Sequence, residues 1–211
     1  MAAAPAYNGV VQAPTDEQLL KEYLAGQAAS FELLVRRHAQ ELYQFAVRFT
    51  GNSVTAEDVV QETFLQVHNS AASFDPSRRF KPWLFTIAAN KARDAIRRRT
   101  RRRELSFEAQ VVPKDEAAKR FVELLSSDAD EPEDDLLIEE RRRIVRDAVQ
   151  AMPPKLREVL VLAYYHRLPY RDIAEIVEVP LGTVKSRLHA AVATFRDCYQ
   201  AAWKDRATDE P

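Results

Sequence analysis

The chain has 211 residues, 46% of them hydrophobic, and one cysteine, Cys198. That is enough for one domain or two small ones with real cores, and it excludes an internal disulfide framework or a cysteine-rich zinc site. The net charge of −1 conceals a division: residues 1–104 hold 15 Lys and Arg against 11 Asp and Glu, residues 105–140 hold 3 against 12, and residues 141–211 hold 13 against 9. Two basic blocks joined by an acidic strip fit two nucleic-acid-facing modules and a connector.

No stretch approaches the length of a membrane span, and the start lacks the basic flank and apolar core of a signal peptide, so the expected location is the cytoplasm. Residues 1–14 are small and unperiodic and read as a disordered tail. Beyond them the chain has few glycines and no convincing period-two strand, which predicts an all-α fold. Thr15 or Asp16 is placed to cap a first helix through Leu19, Leu20 and Tyr23. In the second, Phe31, Leu34, Val35, His38, Leu42, Phe45, Ala46 and Phe49 share one face over five turns. His38 on that stripe reads as a packed core-edge residue, and Gly51-Asn52 ends the helix. A third helix over 55–69 turns Ala56, Val59, Val60, Thr63, Phe64 and Val67 inward. Its outer face carries Glu57, Asp58, Gln61 and Glu62, either an ordinary solvated face or a docking face for a basic partner helix.

The following stretch is the most unusual. A loop with Phe74, Asp75, Pro76 and two arginines leads to a helix starting near Pro82, a position where proline is well tolerated. Leu84, Ile87, Ala88 and Ala95 can face a core, while Asn90, Lys91, Arg93, Asp94, Arg97 and Arg98 surround the other side. Cations crowd residues 91–103, with Asp94 the one acid among them. Phe80, Trp83 and Phe85 lie just upstream. Cations to follow a backbone, with aromatic faces for unstacked bases, are what single-stranded nucleic acid requires. Core packing is the competing reading for Trp83 and Phe85.

Residues 105–135 lose periodicity and fill with Ser, Asp and Glu, which predicts a flexible acidic linker with short helical turns around 116–125. A helix resumes from 136 to 152 through Leu137, Ile144, Val145, Ala148, Val149 and Met152. Pro153-Pro154 stops it and starts another with Leu156, Val159, Leu160 and Ala163 inside. Residues 170–193 then form two short helices about a tight turn. Ile173, Ala174 and Val177 face inward on the first, Val184, Leu188 and Val192 on the second, with Val179 and Val184 plugging the angle between them. Thr183, Lys185, Ser186 and Arg187 suit a DNA groove, although the same spacing also fits a surface helical hairpin. Phe195, Tyr199 and Trp203 extend the last helix, and Cys198 reads as a half-buried thiol on it.

No catalytic constellation emerges. The four histidines are scattered, no glycine-rich phosphate loop exists, and Glu57, Asp58 and Glu62 lack a paired ligand motif. His166 and His189 read as packing or DNA-backbone residues. No enzyme activity, cofactor or metal is expected.

Three stretches together resemble the extracytoplasmic-function (ECF) sigma factors of the sigma-70 family: AEDVVQETFLQVH, FKPWLFTIAANKARDAIRRR and LPYRDIAEIVEVPLGTVKSRLHAA. The resemblance implies two helical domains on a flexible acidic linker: a sigma domain 2 bundle over 15–104, the linker over 105–135, and a sigma domain 4 helix-turn-helix over 136–205. Such a protein binds core RNA polymerase, through the β′ coiled coil and the β flap, and brings it to promoter DNA. It further implies that Asp58, Gln61 and Glu62 contact polymerase, and that Phe80, Trp83, Asn90, Lys91, Arg93, Arg97 and Arg98 melt and hold the −10 element. Asn90 would lie where a flipped non-template base is received, with the loop 73–79 around that base. Thr183, Lys185, Ser186 and Arg187 would read the −35 duplex. An anti-sigma factor is a typical partner of the family, and the acidic linker would follow or mimic nucleic acid near the RNA path. Glu178 departs from the glycine common at its place in the turn, which requires a strained or altered turn. Without the resemblance, a stand-alone helix-turn-helix regulator with an N-terminal sensor domain remains the alternative.

Overall fold

A computed structural model describes residues 13–105 and 135–207. The expected tail up to residue 12, and the acidic linker from 106 to 134 with its short turns and its path near RNA, lie outside the described residues. The helices are α1 (Asp16–Leu24), α2 (Ala28–Thr50), α3 (Ser53–Ser70), α4 (Phe80–Leu105), α5 (Asp135–Ala151), α6 (Pro154–Leu160), α7 (Tyr170–Ile176) and α8 (Leu181–Ala207). A 3-10 turn spans Ala71–Ser73, a π-helical turn spans Val161–Tyr165, and the described residues contain no strand.

Local chemistry sets the helix ends. Thr15 and Gln18 form a reciprocal capping box: the Gln18 N–H donates to the Thr15 hydroxyl at 3.2 Å, and the Thr15 N–H donates to Gln18 Oε1 at 2.8 Å. Gly51 ends α2 with φ of 72°, in the left-handed region that glycine enters without penalty. Asn52 follows as the cap of α3, accepting the Thr55 N–H at 2.8 Å. Helix α4 starts at Phe80, two residues earlier than expected, because the Phe80 N–H, orphaned at a helix start, donates to Glu17 Oε1 on α1 at 2.8 Å.

The expected stripe of α2 is buried at Leu34, His38, Leu42, Phe45, Ala46 and Phe49 and partly buried at Phe31 and Val35; Tyr43 joins it. On α3, Ala56, Val59, Thr63, Phe64 and Val67 are buried. Burial on α4 is wider than one stripe. Phe80, Leu84, Phe85, Ala88, Ala89, Ala92 and Ala95 are all buried, because α2 and α3 cover one side and α7 covers another. The alanines let neighbouring helices come close.

In the second half, Ile144, Ala148, Val149 and Met152 of α5 are buried, as is the unbroken run Val159–Leu162. On α8 the buried positions are Val184, Leu188 and Ala191, and the expected Val192 is 45% exposed. The apolar stripe follows the i, i+4, i+7 course of a straight helix, so the i+8 position has rotated out to solvent.

The two halves dock, which composition did not foretell. Arg157, buried on α6, donates through Nη1 to Phe49 O at 2.8 Å and to Gln150 Oε1 at 2.8 Å, and through Nη2 to Gln150 O and Met152 O at 2.6 and 3.0 Å. Gln150 Nε2 donates to Arg48 O at 2.6 Å. The last-turn carbonyls of α2 have no partner within their helix, and side chains of the other half supply one. His166 lies between Phe45 and Phe85, with ring centroids 5.9 and 5.3 Å away, and its Nδ1 is 3.5 Å from Glu41. Arg48 covers the Tyr165 ring at 4.6 Å.

Candidate nucleic-acid interface

Two helix termini and one loop position the first set of candidate side chains. The loop after the 3-10 turn is braced by Asp75, whose carboxylate accepts the Ser77 N–H at 2.9 Å while its carbonyl accepts the Arg78 N–H at 3.0 Å. Hydrogen bonds from Ser77 hold the Asp75 carboxyl below its ordinary range. The turn projects Arg78 and Arg79 outward and folds Phe74 over Trp83, 4.8 Å between centroids. Phe80, expected to contact the DNA strand, is instead fully buried against His38 and Trp83, at 5.6 and 5.8 Å. It opens α4 at the point where that helix enters the core, so its ring is packing and has no face to give a base. Phe85 is buried as well. Trp83 is half-buried and keeps an accessible portion.

His38 does pack at the core edge. Its Nε2–H donates to Asp16 Oδ2 at 2.8 Å. Burial works to raise the Asp16 carboxyl, but hydrogen bonds and charge from His38 and Arg37 outweigh it and hold that carboxyl down.

Further along α4, Asn90 is exposed, and its Oδ1 accepts Arg93 Nη2 at 2.5 Å. Arg97 pairs with Asp94. Lys91 and Arg98 lie 3.6 and 3.7 Å from the two oxygens of Glu62. The acidic patch and the basic helix therefore adjoin across a groove between α3 and α4, with Asp58, Glu62, Arg98 and Arg99 among its walls. Asp58 and Gln61 remain exposed, whereas Glu62 is partly screened by two cations. One residue escaped sequence reasoning here: Leu65, 60% exposed, extends the same face one turn beyond Gln61. Its spacing of seven from Asp58 and four from Gln61 was the available signal.

The second set stands on α7 and α8. Three backbone bonds close the turn between them: Val177 N to Ile173 O at 2.9 Å, Glu178 N to Glu175 O at 3.3 Å, and Val179 N to Ala174 O at 3.1 Å. Glu178 adopts φ of 53°, the left-handed conformation a glycine would occupy. The turn geometry is therefore kept, and strain is the consequence. Val184 is fully buried in the angle and Val179 partly so. Lys185 and Ser186 are exposed, Thr183 is half-buried, and the Ser186 hydroxyl donates to Thr183 O at 3.0 Å. Arg187 is half-buried, and its charge is near enough to Glu158 of α6 to act on that carboxyl.

Glu158 brings the two sets together. It is 3% exposed and lies 3.4 Å from Arg93. Burial pushes its carboxyl up to about 7, and the charges of Arg93 and Arg187 only partly offset that rise. Two more pairs cross between the halves, Arg78 with Glu175 at 3.2 Å and Arg79 with buried Asp172. Nearby, burial acts to raise Glu41, but hydrogen bonds from His166 and Lys81 prevail and hold it at about 2. Among the described residues, no cluster of three or more His, Cys, Asp or Glu could hold a metal ion, and no helix is long and apolar enough to cross a membrane. The site presents cations, the exposed amides of Asn90 and Gln61, and a short hydroxyl-bearing helix face: groups that bind.

Known proteins match both halves. The family described as Sigma-70 region 2 matches residues 34–102, and Sigma-70, region 4 matches residues 142–195. The ECF RNA polymerase sigma factor SigW of Bacillus subtilis (strain 168) is 32% identical over 177 residues, 84% of this chain and 92% of that protein. The RNA polymerase sigma-H factor of Pseudomonas aeruginosa is 32% identical over 180 residues, 83% and 89% of the two chains. Among solved structures, CnrH in complex with the cytosolic domain of CnrY superposes with a TM-score of 0.62 at 25% identity, covering 88% of this chain and 97% of that one.

Proposed function

The chain belongs to the extracytoplasmic-function sigma factors of the sigma-70 family, and from that membership we propose a division of labour between its two halves. It serves promoter-specific transcription initiation as a dissociable specificity subunit that acts by binding alone. Asp58, Gln61 and Glu62 on α3, with Leu65 added, form the surface for the β′ coiled coil of core polymerase. The C-terminal half engages the β flap and lays Thr183, Lys185, Ser186 and Arg187 into the major groove of the −35 duplex. Around the −10 element, Trp83 and the loop 73–79 frame an extruded non-template base, and Asn90 offers that base both a donor and an acceptor. Lys91, Arg93, Arg97 and Arg98 follow the strand phosphates. Phe80 supports this surface from below.

The observation that supports the reading best is one helix carrying an exposed amide among cations, with a separate helix-turn-helix downstream, in the order of the two matched regions. Binding energy invested in extruded bases stabilises an open bubble without nucleotide hydrolysis. An anti-sigma factor is a fitting further partner, since a surface this cationic needs masking when idle. The test is Asn90→Ala assembled with core polymerase. It is expected to lose bubble opening, read by permanganate reactivity, while retaining affinity for a −35 duplex. Loss of both together would signify misfolding and remove the assigned role.

A further inference from the structure

We infer that helix α1 sets the geometry of the site assigned to the extruded base. Glu17 acts as a remote cap for α4, and Asp16, through His38, supports Phe80 beneath Trp83. Both are positioning residues that touch no DNA. The inference rests on the base-capture reading above and adds to it the side chains that hold the site in shape.

The residue before helix α4 is Arg79, whose guanidinium carries only donors and cannot accept the orphaned N–H groups of the first turn. An acceptor 63 residues earlier fills that role: Glu17 Oε1 takes the Phe80 N–H at 2.8 Å. A carboxylate at a helix N-terminus is further favoured by the helix dipole. Helix α1 lies against both the start of α4 and the 3-10 turn Ala71–Ser73, so it meets the two ends of the loop 73–79. Trp83 stands about one turn along from Phe80, and Asn90 about two turns further on the same helix. Where α4 starts therefore decides where both are held.

The second support runs through aromatic rings. Asp16 Oδ2 accepts the His38 Nε2–H at 2.8 Å, and its other oxygen accepts Arg37 Nη1 at 2.6 Å. His38 is 4% exposed, and its Nδ1 has no hydrogen-bond partner among the described residues, so the Asp16 bond is the polar tether of the ring. That ring packs on Phe80 at 5.6 Å, and Phe80 packs on Trp83 at 5.8 Å and on Phe74 at 6.2 Å. Phe74 closes the set on Trp83 at 4.8 Å. Phe80 is fully buried in close-packed surroundings, so a displacement of His38 is passed on to Trp83. Asp16 and Glu17 are neighbours in the first turn of α1, which the Thr15–Gln18 capping box fixes. One short helix thus holds both the backbone and the rings beneath the site.

Trp83 and Trp203 are the two tryptophans of the chain, so Trp83 reports the site alone in a Trp203→Phe background. Acrylamide quenching of its fluorescence in the full chain reads its exposure. Base capture is read with the chain assembled on core polymerase, as the preference for a random-sequence single-stranded oligonucleotide over an abasic one of equal length. Glu17→Ala removes the acceptor, whereas His38→Gln can still donate to Asp16 but offers Phe80 no ring. Each should raise Trp83 quenching and cut the base preference about five- to tenfold, with abasic binding changed less than about twofold. Glu17→Gln keeps an acceptor oxygen and should stay within about twofold of the parent. Tyr23→Phe breaks the bond from α1 to His68, away from these rings, and should be silent in both readouts. If one of the two weakening variants fails to fold, the other decides. Parent-like quenching and preference in both, or a Tyr23→Phe chain that behaves like Glu17→Ala, overturns the inference. Equal binding of the two oligonucleotides by the unmodified chain is a different result: it would sink the base-capture reading itself, and this inference with it.

Discussion

Replacing Glu158 by glutamine isolates the electrostatic strain at the junction of the two halves. The carboxyl is buried, and its pKa rises from an ordinary 4.5 to about 7 in the folded chain. Every tenfold change in proton affinity corresponds to about 1.4 kcal/mol, so charging Glu158 in place costs on the order of 3 kcal/mol relative to charging it in water. The sign follows from proton binding. The folded state holds this proton more tightly than the unfolded one, so the group's contribution is fully present below pH 4.5, falls away between 4.5 and 7, and is lost above. Glutamine is neutral throughout. The difference in stability between variant and parent should therefore climb by about 3 kcal/mol from pH 4.5 to pH 7 and flatten beyond. That is a large part of a marginal folding free energy. Urea unfolding of both proteins at half-unit pH steps reads it, since other carboxylates titrate alike in the two and cancel. Parallel stability curves from about pH 4.5 to 8 would refute the reasoning, because they would mean that Glu158 stays charged without penalty.

Other expectations are more local. Glu178→Gly should raise stability by up to about 1 kcal/mol, because the side chain at φ of 53° is strained and glycine is not; a lower melting temperature would count against that assignment. Phe80→Ala should cost about 3–5 kcal/mol by emptying a fully buried ring site. Trp83→Ala should cost less stability but weaken single-strand binding more, and the reverse order would return Phe80 to the DNA-contacting set.

Much of the local architecture was legible because periodicity reports burial directly. The α2 stripe, a cap at Thr15 or Asp16, the stop at Gly51-Asn52 and the turn containing Glu178 all follow from short-range chemistry, whereas Asn52 as the cap of α3, which starts at Ser53 and not at 55, was not read. The misplacements share a cause: depth is set by neighbours distant in sequence. Phe80 and Trp83 lie three residues apart on one helix, yet His38 of α2 packs on the first, which is fully buried, and part of the second stays open. Val192 fits an apolar spacing, but the gradual rotation of a long helix turns Ala191 inward instead. The wide burial of α4 needs α7 on its flank, and nothing in the spacing of α4 announces that. Docking of the halves was the least legible feature. Gln150, Arg157 and His166 are polar residues of ordinary appearance, and only the carbonyls at the end of α2 reveal what they satisfy. Glu158, Asp172 and Glu175 are likewise ordinary charged residues in the sequence, and nothing in their spacing announces partners on α4 and its preceding loop.

The most direct test of the account is run-off transcription from a fragmented genomic library with purified core polymerase, with and without this chain. Discrete transcripts should appear only when the chain is added, from fragments sharing a two-part element, and should vanish with Asn90→Ala. Tight sequence-specific duplex binding by the chain alone, with no transcript from any fragment when core polymerase is present, would contradict it.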